Sequence, residues 1–334
     1  MLFRLALIGC GGVSTMHLDT YARHPDRVQV VAACDPDPNR LAQVQARYSI
    51  PTGFSSLPAM INECSWDVAV VCTPSRVREE VVGALAAAGK SIFVEKPLAS
   101  SLPEAERMVA ACAAAGVRLA VDQNFRYHYP FHLAKDRLAE GLIGPVTTVL
   151  HQDLFFRQDM GWRTEEKRHA LAVMGVHWLD GIRWILQSEA VAVYAQMRSA
   201  STIQCAGETD ANISINFENG VTANYVQSFS SALSRTETLI IGERGVLKLD
   251  YNRLEFHDRS GKQQPVEQWE NPYAGSNKPE STFQQLDALL QAISDGHEPA
   301  NSGQDNLRTV ALLEACYRSA SEGQIVSLKN GSLL

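Results

Sequence analysis

The stretch LALIGCGGVS, residues 5–14, decides the fold of the first part of the chain. An apolar run typical of a buried strand ends in a glycine-rich turn, and the helix-like segment VSTMHLDTYARH follows. This order matches the dinucleotide-binding pattern GxGxxG, with Ser14 in place of the third glycine. Gly9 permits the tight turn, Gly11 lets a pyrophosphate approach the backbone, and a small third residue lets helix and strand pack closely. The stretch therefore predicts a phosphate-binding site at the N-terminus of the first helix.

Apolar runs and helical patterns alternate through the first 123 residues. The later strand-like runs are VQVVAACD, DVAVVCTP, SIFVEKP and VRLAVDQ, the last of which ends at Gln123. Near-continuous apolar strands separated by helices are typical of a parallel sheet covered on both faces. Right-handed crossovers between such strands make the sheet doubly wound. We therefore expect residues 1–123 to form an α/β Rossmann domain.

An acidic residue closes the second predicted strand. Asp35 lies about 20 residues beyond the glycine turn, where a carboxylate accepts hydrogen bonds from the adenosine ribose and repels a 2′-phosphate. Pro36 follows it, rather than a Ser/Arg pair that would accept the extra phosphate. NAD is therefore favoured over NADP as the cofactor. Arg40 leaves NADP open, and Asp35 can instead be a turn residue at the end of its strand.

Composition excludes several classes of partner. The chain has 334 residues, long enough for two domains, with 45% hydrophobic and 20% charged residues. A formal net charge of -7 argues against electrostatic binding to nucleic acid or to an anionic membrane. Seven cysteines without a CxxC pair predict neither a disulfide framework nor a zinc site. Nine dispersed histidines without HxH or HExxH spacing predict no metal site.

The expected compartment is the cytoplasm. The apolar N-terminal stretch is short and runs into the glycine turn without a signal-type cleavage site. No stretch approaches the ~20 uninterrupted apolar residues that a membrane helix requires.

The pattern changes in residues 124–334. A helix follows Pro130, and then come strand-like runs separated by short turns, with Glu218-Asn219-Gly220 as a hairpin signal. Residues 282–294 and 306–321 have helical apolar spacing. We expect a C-terminal α+β domain with a large open, mostly antiparallel sheet.

The motif Glu95-Lys96-Pro97, after the glycine fingerprint and the turn Thr73-Pro74, resembles the glucose–fructose oxidoreductase, inositol dehydrogenase and MocA family (Gfo/Idh/MocA). The resemblance covers essentially the whole chain. It also includes the segments NFRY, GLIGPV, GWR and GVHWLD and the stretch SGQDNLRTVALLEACYRSA near the C-terminus. It implies an NAD-dependent oxidoreductase that transfers hydride between a secondary alcohol of a sugar, sugar acid, glycoside or cyclitol and the nicotinamide. The cofactor contacts expected are Gly9, Gly11, Gly12, Val13, Ser14, Asp35, Thr73, Pro74, Glu95 and Lys96.

The same resemblance implies a cis bond between Lys96 and Pro97, and a C-terminal sheet that pairs subunits into a homodimer or homotetramer. That sheet face can instead be solvated.

Two residues are expected to carry the chemistry. A lysine at the carboxyl end of a parallel strand lies where such sheets bind ligands, so Lys96 can polarise the reacting oxygen. The resemblance implies that His177, in AVMGVHWLDGIRWIL, faces the nicotinamide and exchanges the substrate proton as acid/base. The alternatives are a solvated Lys96 and a packed core histidine.

Three departures set this chain apart from the family. Val173 stands four residues before His177, where many members carry aspartate, so Asp180 either orients the ring or pairs with Arg183 or another basic group. Arg78 stands where histidine is common, and Asp122 where glycine is common. The substrate of a better-known member therefore cannot be transferred to this chain.

A second set of residues is expected to contact the substrate. Arg126 and Tyr127 follow a predicted strand at the ligand edge of the sheet. Arg163 can bind hydroxyl groups or a carboxylate, and Trp162 can stack on a sugar face. His169 can serve as a replacement partner for His177. Each of these can also be scaffold, and the substrate contacts expected in all are Lys96, Arg126, Tyr127, Trp162, Arg163, His169, His177 and Asp180.

Two other functions stay open at this level. One is a redox-neutral sugar hydrolase, lyase or epimerase that keeps its NAD tightly bound and oxidises the substrate only transiently. The other is a non-catalytic protein that senses NAD. Retention of both Lys96 and His177 argues against the sensor, which needs neither.

Overall fold

The computed structural model describes residues 1–262, 264–273 and 278–334. Two compact units are present, Met1–Asn124 with Lys278–Val310, and Phe125–Asn277 with Ala311–Leu334. The first change of unit lies one residue beyond the predicted boundary at 123. Residues 278–310, expected in the C-terminal domain, group instead with the first unit. None of the described helices is both long enough and apolar enough to span a membrane.

The elements follow one another with short connections. The strands are β1 (Phe3–Ile8), β2 (Val28–Cys34), β3 (Thr52–Phe54), β4 (Val68–Val71), β5 (Ser91–Val94), β6 (Leu119–Val121), β7 (Val146–Phe156), β8 (Ala190–Arg198), β9 (Asp210–Phe217), β10 (Thr222–Ser228), β11 (Ser230–Gly242), β12 (Gly245–Leu249), β13 (Arg253–Asp258), β14 (Glu267–Glu270), β15 (Val326–Lys329) and β16 (Ser332–Leu333). The helices are α1 (Gly12–Tyr21), α2 (Pro38–Tyr48), α3 (Leu57–Glu63), α4 (Arg78–Ala87), α5 (Leu102–Ala114), α6 (Tyr129–Ala139), α7 (Val176–Leu186), α8 (Lys278–Asp295) and α9 (Gly303–Glu322). One π-helical turn, Leu171–Gly175, leads directly into α7.

The first unit contains the predicted doubly wound sheet. Its strand order is β3-β2-β1-β4-β5-β6, and every pair of neighbours is parallel. Apolar clusters cover both faces, one with α4 and α5 and the other with α1. The Rossmann prediction is confirmed.

Helix α8 belongs with this sheet because of its apolar side. Phe283, Leu286, Leu289 and Leu290 are buried in the same cluster as Leu5, Leu7 and Phe93 of the sheet. Simple helical spacing predicted the helix itself, but it could not tell which unit would receive its apolar side.

The second unit contains the predicted open sheet. Its strand order is β14-β13-β12-β11-β7-β10-β9-β8-β15-β16, in which β7 and β10 are parallel and the other paired neighbours are antiparallel. Residues Glu218–Gly220 join β9 to β10 as a hairpin. Along β10, Ala223 and Tyr225 are buried while Asn224 and Val226 are exposed, so one face is covered and the other open. The α+β prediction is confirmed.

A buried histidine lies on the covered face of this sheet. His151 of β7 stacks on Tyr225, with ring centroids 5.2 Å apart, and lies 4.1 Å from the Trp178 ring of α7. Its Nδ1 is 2.8 Å from Thr238 Oγ1. Because burial disfavours the charged ring, the pKa of His151 is lowered from 6.5 to about 3. His151 is therefore neutral in the folded protein at pH 5, whereas it is protonated in the unfolded chain.

We expect the free energy of unfolding to fall as the pH is lowered below 6.5. Between that value and about 3 the unfolded chain binds a proton that the folded protein does not, so His151 contributes a loss of roughly 1.4 kcal/mol per pH unit. Urea unfolding at pH 7, 6 and 5 measures this slope. The variant His151→Gln should show a shallower slope than the parent, and His297→Gln, on an exposed histidine, should not. Equal slopes for the parent and His151→Gln would contradict the assignment.

Candidate active site

The glycine turn between β1 and α1 leaves open space at the start of the helix. Gly9 has φ +95°, and a Cβ there would lie 3.0 Å from the backbone of Cys72, so only glycine fits. A Cβ on Gly11 or Gly12 would meet nothing within 4 Å. The buried Ser14 hydroxyl donates to the Gly11 carbonyl oxygen at 2.6 Å. The first N–H groups of α1, which has no side-chain cap, can therefore receive a pyrophosphate.

Asp35 is held at the carboxyl end of β2 by backbone donors. Its Oδ2 accepts from the N–H of Cys10 at 2.7 Å, and its Oδ1 accepts from the N–H of Asp37 at 2.9 Å. Each carboxylate oxygen has a second lone pair available for a ribose hydroxyl. The turn and this carboxylate together fit an NAD adenosine and pyrophosphate.

The turn that carries Lys96 follows β5, and its Lys96–Pro97 bond is cis, as the resemblance implies. Arg78, the first residue of α4, is 3% exposed and binds this turn. Its guanidinium donates to the carbonyl oxygens of Glu95, Pro97 and Thr73. Sequence comparison singled out Arg78 only as a departure from the family, without a role.

A buried polar cluster lies beneath the same turn. His17 Nε2 is 2.8 Å from Glu95 Oε1 and 3.8 Å from Asp122 Oδ2, and His17 Nδ1 is 3.0 Å from the Tyr21 hydroxyl. Three potential metal ligands thus lie within 4.8 Å of one another, which sequence spacing did not predict because the residues are far apart in the chain. The His17–Glu95 separation is that of a direct hydrogen bond, so the cluster is a hydrogen-bonded network.

In the second unit, His177 lies on the first turn of α7 and is 2% exposed. Its ring stacks on Phe125, with centroids 4.3 Å apart and an angle of 11° between the rings. The Trp178 ring meets the same Phe125 edge-on at 4.7 Å. Phe125 belongs to the NFRY segment, yet sequence reasoning considered only the Arg126 and Tyr127 of that segment.

Asp180 forms a buried ion pair. Arg126 donates to both of its carboxylate oxygens, at 2.6 and 2.7 Å, and Arg183 lies 3.7 Å away. This arrangement corresponds to the pairing alternative for Asp180. Arg126, which was expected near the substrate, is one member of this ion pair. Tyr127 stacks on His132, with ring centroids 5.3 Å apart.

Val173 lies in the π-helical turn that precedes α7. It packs against an apolar cluster that contains Ala170, Ile203 and Phe229. A π turn has more residues than an α turn, so the side chains that share a face with His177 differ from those of a regular helix. Val173, four residues before His177, is therefore an apolar residue in a widened turn.

Two of the remaining predicted substrate residues, His169 and Arg163, lie close to Asp159. His169 is fully buried, and its Nε2 is 3.0 Å from Asp159 Oδ2. Arg157 donates to the same carboxylate, and Arg163 lies 4.0 Å from it. Burial alone would raise the pKa of Asp159, but the hydrogen bonds from His169 and Arg157 hold it well below its usual range. Trp162 is 39% exposed.

Glu208 fixes the chain just before the π turn. Its carboxylate accepts from the N–H groups of His169 and Leu171 and from the Tyr317 hydroxyl. Sequence reasoning missed both Asp159 and Glu208, because no motif marks them. His169 is thus held by two separate partners, Asp159 and Glu208.

Comparisons with known proteins agree with the fold. Residues 3–123 match the model of an oxidoreductase family with an NAD-binding Rossmann fold, and residues 131–248 match the model of the GFO/IDH/MocA C-terminal domain. A D-apiose dehydrogenase from Paraburkholderia graminis is 34% identical over 98% of this chain and 90% of its own length. A D-apiose dehydrogenase from Rhizobium rhizogenes is 29% identical over 97% of this chain and 96% of its own length.

A solved structure is also similar over its whole length. It is an oxidoreductase from Agrobacterium radiobacter in complex with NAD+, L-tartaric acid and magnesium. It is 27% identical, covers 97% of this chain and 98% of its own, and superposes with a TM-score of 0.89.

We expect Asp35→Asn to weaken NAD binding by about tenfold to a hundredfold, because hydrogen bonds to a charged group contribute roughly 1.5–3 kcal/mol. NADP binding should change little or improve, since the repulsion of the 2′-phosphate is lost. Calorimetric titration of the purified protein with each nucleotide measures both affinities.

The control is Asp37→Asn, two residues away. Asp37 caps α2 through the N–H of Asn39, and asparagine caps helices equally well. Its NAD affinity should equal that of the parent. A parent protein that binds NADP more tightly than NAD would overturn the role given to Asp35.

Proposed function

The chain belongs to the Gfo/Idh/MocA family of oxidoreductases, whose Rossmann fold binds NAD, and we propose that it oxidises a secondary alcohol of a sugar, sugar acid, glycoside or cyclitol. The observation that carries the proposal is the position of Lys96. It follows β5 at the carboxyl edge of the parallel sheet, the same edge that carries the glycine turn after β1 and Asp35 after β2. Ligands of such sheets bind at this edge.

D-Apiose is the first substrate to test. Two relatives that match this chain over nearly its whole length are named D-apiose dehydrogenases. We infer a small aldose of this kind rather than a cyclitol, because the two D-apiose dehydrogenases are 34% and 29% identical, whereas inositol dehydrogenases that match this chain are 23% to 27% identical. Sugar acids and inositols are the competing substrates in the same screen.

NAD, which the glycine turn and Asp35 would hold, would supply the acceptor for the hydride of the substrate carbon. Lys96 donates a hydrogen bond from its ammonium group to the reacting oxygen and stabilises negative charge there. His177 takes the proton of the same hydroxyl, since an imidazole exchanges protons near neutral pH. Stacking on Phe125 supports the proposal because it fixes the plane of the His177 ring. In the reverse direction His177 delivers the proton, while Lys96 polarises the carbonyl oxygen.

The proposal is tested by NADH formation over a panel of D-apiose, other aldoses, aldonic acids and myo-inositol. With the best substrate, Lys96→Met should lower kcat by a factor of about 10²–10³, the loss typical of a donor to a developing charge. His177→Gln should lower it by about 10²–10⁴, as for a general base. His177→Gln should keep the parent's NAD affinity to within about threefold.

Lys329→Met, on an exposed lysine of β15, is the matched control and should retain full activity. Full activity in Lys96→Met would refute the catalytic assignment. Conversion of a sugar without net NADH, by protein that copurifies with stoichiometric NAD, would replace net oxidation by a redox-neutral reaction.

We further propose that the chain forms a dimer or tetramer through the open face of the ten-stranded sheet. Tyr194, Ser214, Asn224 and Leu150 lie side by side on four neighbouring strands and form an uncharged row. Leu150, Tyr194 and Val226 are each at least 36% exposed on this face. Apolar side chains in a neutral row are typical of a buried interface core.

Light scattering coupled to size exclusion should therefore give a multiple of the monomer mass. The double variant Leu150→Glu/Val226→Glu places like charges on both sides of a symmetric contact and should shift the protein to monomer. Val77→Glu, on an exposed apolar residue of the first unit, is the control and should keep the parent's mass. A monomeric parent would contradict the proposal.

We also propose a reducing, cytoplasmic compartment. Each of the seven cysteines is free, and four of the five in the first unit are buried. Free buried thiols are typical of proteins that stay in a reducing environment.

A further inference from the structure

Arg78 binds the backbone on both sides of Lys96. Its NH1 donates to the carbonyl oxygen of Glu95 at 2.5 Å, to that of Pro97, and to that of Leu98 at 3.4 Å. Glu95 and Pro97 are the residues immediately before and after the lysine. The backbone carbonyl groups of the residues before and after Lys96 thus both accept hydrogen bonds from the Arg78 guanidinium.

The same guanidinium connects this turn to a second one. Its NH2 donates to the carbonyl oxygen of Thr73 at 2.5 Å. Thr73 follows β4 and Glu95 follows β5, and these strands are parallel neighbours. Two consecutive turns at the ligand edge of the sheet are therefore joined through one side chain.

Only arginine has the donors for this arrangement. Its planar fork carries five N–H groups in fixed directions, whereas lysine is a point charge with three donors and histidine has at most two. Burial lowers the pKa of Arg78 to about 10, while the neighbouring Glu95 opposes that effect. The group stays a cation at neutral pH.

The side chain of Glu95 is held independently. Oε1 of Glu95 lies 2.8 Å from Nε2 of His17, on α1. The backbone N–H of Glu95 donates to the carbonyl oxygen of Val71 at 3.0 Å. The residue before Lys96 is thereby fixed on its side chain, its N–H and its carbonyl. Arg78 supplies the contact to the Glu95 carbonyl oxygen, and it also binds the carbonyl oxygens of Pro97 and Leu98.

We infer that Arg78 is a positioning residue, which holds the backbone of residues 95–98 so that the Lys96 ammonium group meets the reacting oxygen. The inference rests on the proposed role of Lys96. Arg78 acts from beneath the turn through main-chain carbonyls, and its contribution passes through Lys96. Displacement of a catalytic group by about 1 Å is enough to slow the chemical step. The glycine turn and Asp35, in contrast, are held by hydrogen bonds of their own.

The test uses Arg78→Lys, which keeps the charge but loses the fork. We expect kcat for the best substrate to fall about tenfold to a hundredfold, with the KM of the substrate and the NAD affinity within about threefold of the parent. Hydrogen–deuterium exchange of the nucleotide-free protein should accelerate in a peptide that covers residues 93–99. Arg107→Lys is the control. Arg107 is an exposed arginine of α5 that pairs with Glu79 of α4, the helix that also carries Arg78.

A double-mutant cycle separates a positioning role from a general structural one. If Arg78 acts through Lys96, the variant Arg78→Lys/Lys96→Met should be no slower than Lys96→Met alone. Additive losses, or a loss that appears in KM or in NAD affinity while kcat is kept, would overturn the inference and leave the role of Lys96 standing. Unchanged activity in Lys96→Met alone would instead refute the proposed function, and the link from Arg78 to Lys96 with it.

Arg78→Gln is the second variant, for the case in which the Arg78→Lys protein does not fold. It keeps two N–H donors without charge and should show the same confined acceleration of exchange. Exchange in residues 93–99 equal to that of the parent, in a folded variant of either kind, would show that Arg78 does not hold the turn.

Discussion

The fold of the first unit requires hydrogen-bond partners for the backbone N–H and carbonyl groups in the loops that follow its strands. Six parallel strands end at one edge, and the loops that follow them carry buried N–H and carbonyl groups that must find partners, each unpaired group costing about 1–3 kcal/mol. Charged and amide side chains supply those partners. Asp35 accepts from two N–H groups, Arg78 donates to carbonyls after β4 and β5, and Gln285 and Asn301 donate to the carbonyls of Gln123 and Val121. The residues that satisfy the loops therefore also shape the edge at which ligands bind.

This constraint explains why residues 278–310 belong to the first unit. The apolar side of α8 fills one face of the parallel sheet, and Gln285 and Asn301 then complete the end of β6. A helix that contributes both an apolar side and donors to the sheet is part of its core. The second unit is built on similar lines, with the Arg126–Asp180 pair and Glu208 holding the segments around α7.

The parts that local pattern predicts are those in which neighbours in sequence are neighbours in space. The glycine turn, Asp35 and the turn at Glu95–Pro97 follow directly from their strands, so their positions could be read from the order of the residues. Arg78, His17 and Asp122 could not, because 17, 78, 95 and 122 meet only after the sheet has formed. The departures Arg78 and Asp122 were visible as unusual residues, yet nothing in the sequence indicated that both lie beneath the same turn.

The same distinction applies to His177. Its helix was predictable from apolar spacing, and a regular helix places the i−4 and i+3 positions on one face, where a carboxylate partner is expected. The turn before α7 is instead π-helical, Val173 packs with apolar residues, and Asp180 is engaged by Arg126. The His177 ring stacks on the face of Phe125. Stacking restrains the plane of an imidazole without demanding that either nitrogen hold a proton, so it is compatible with the proton exchange proposed for His177.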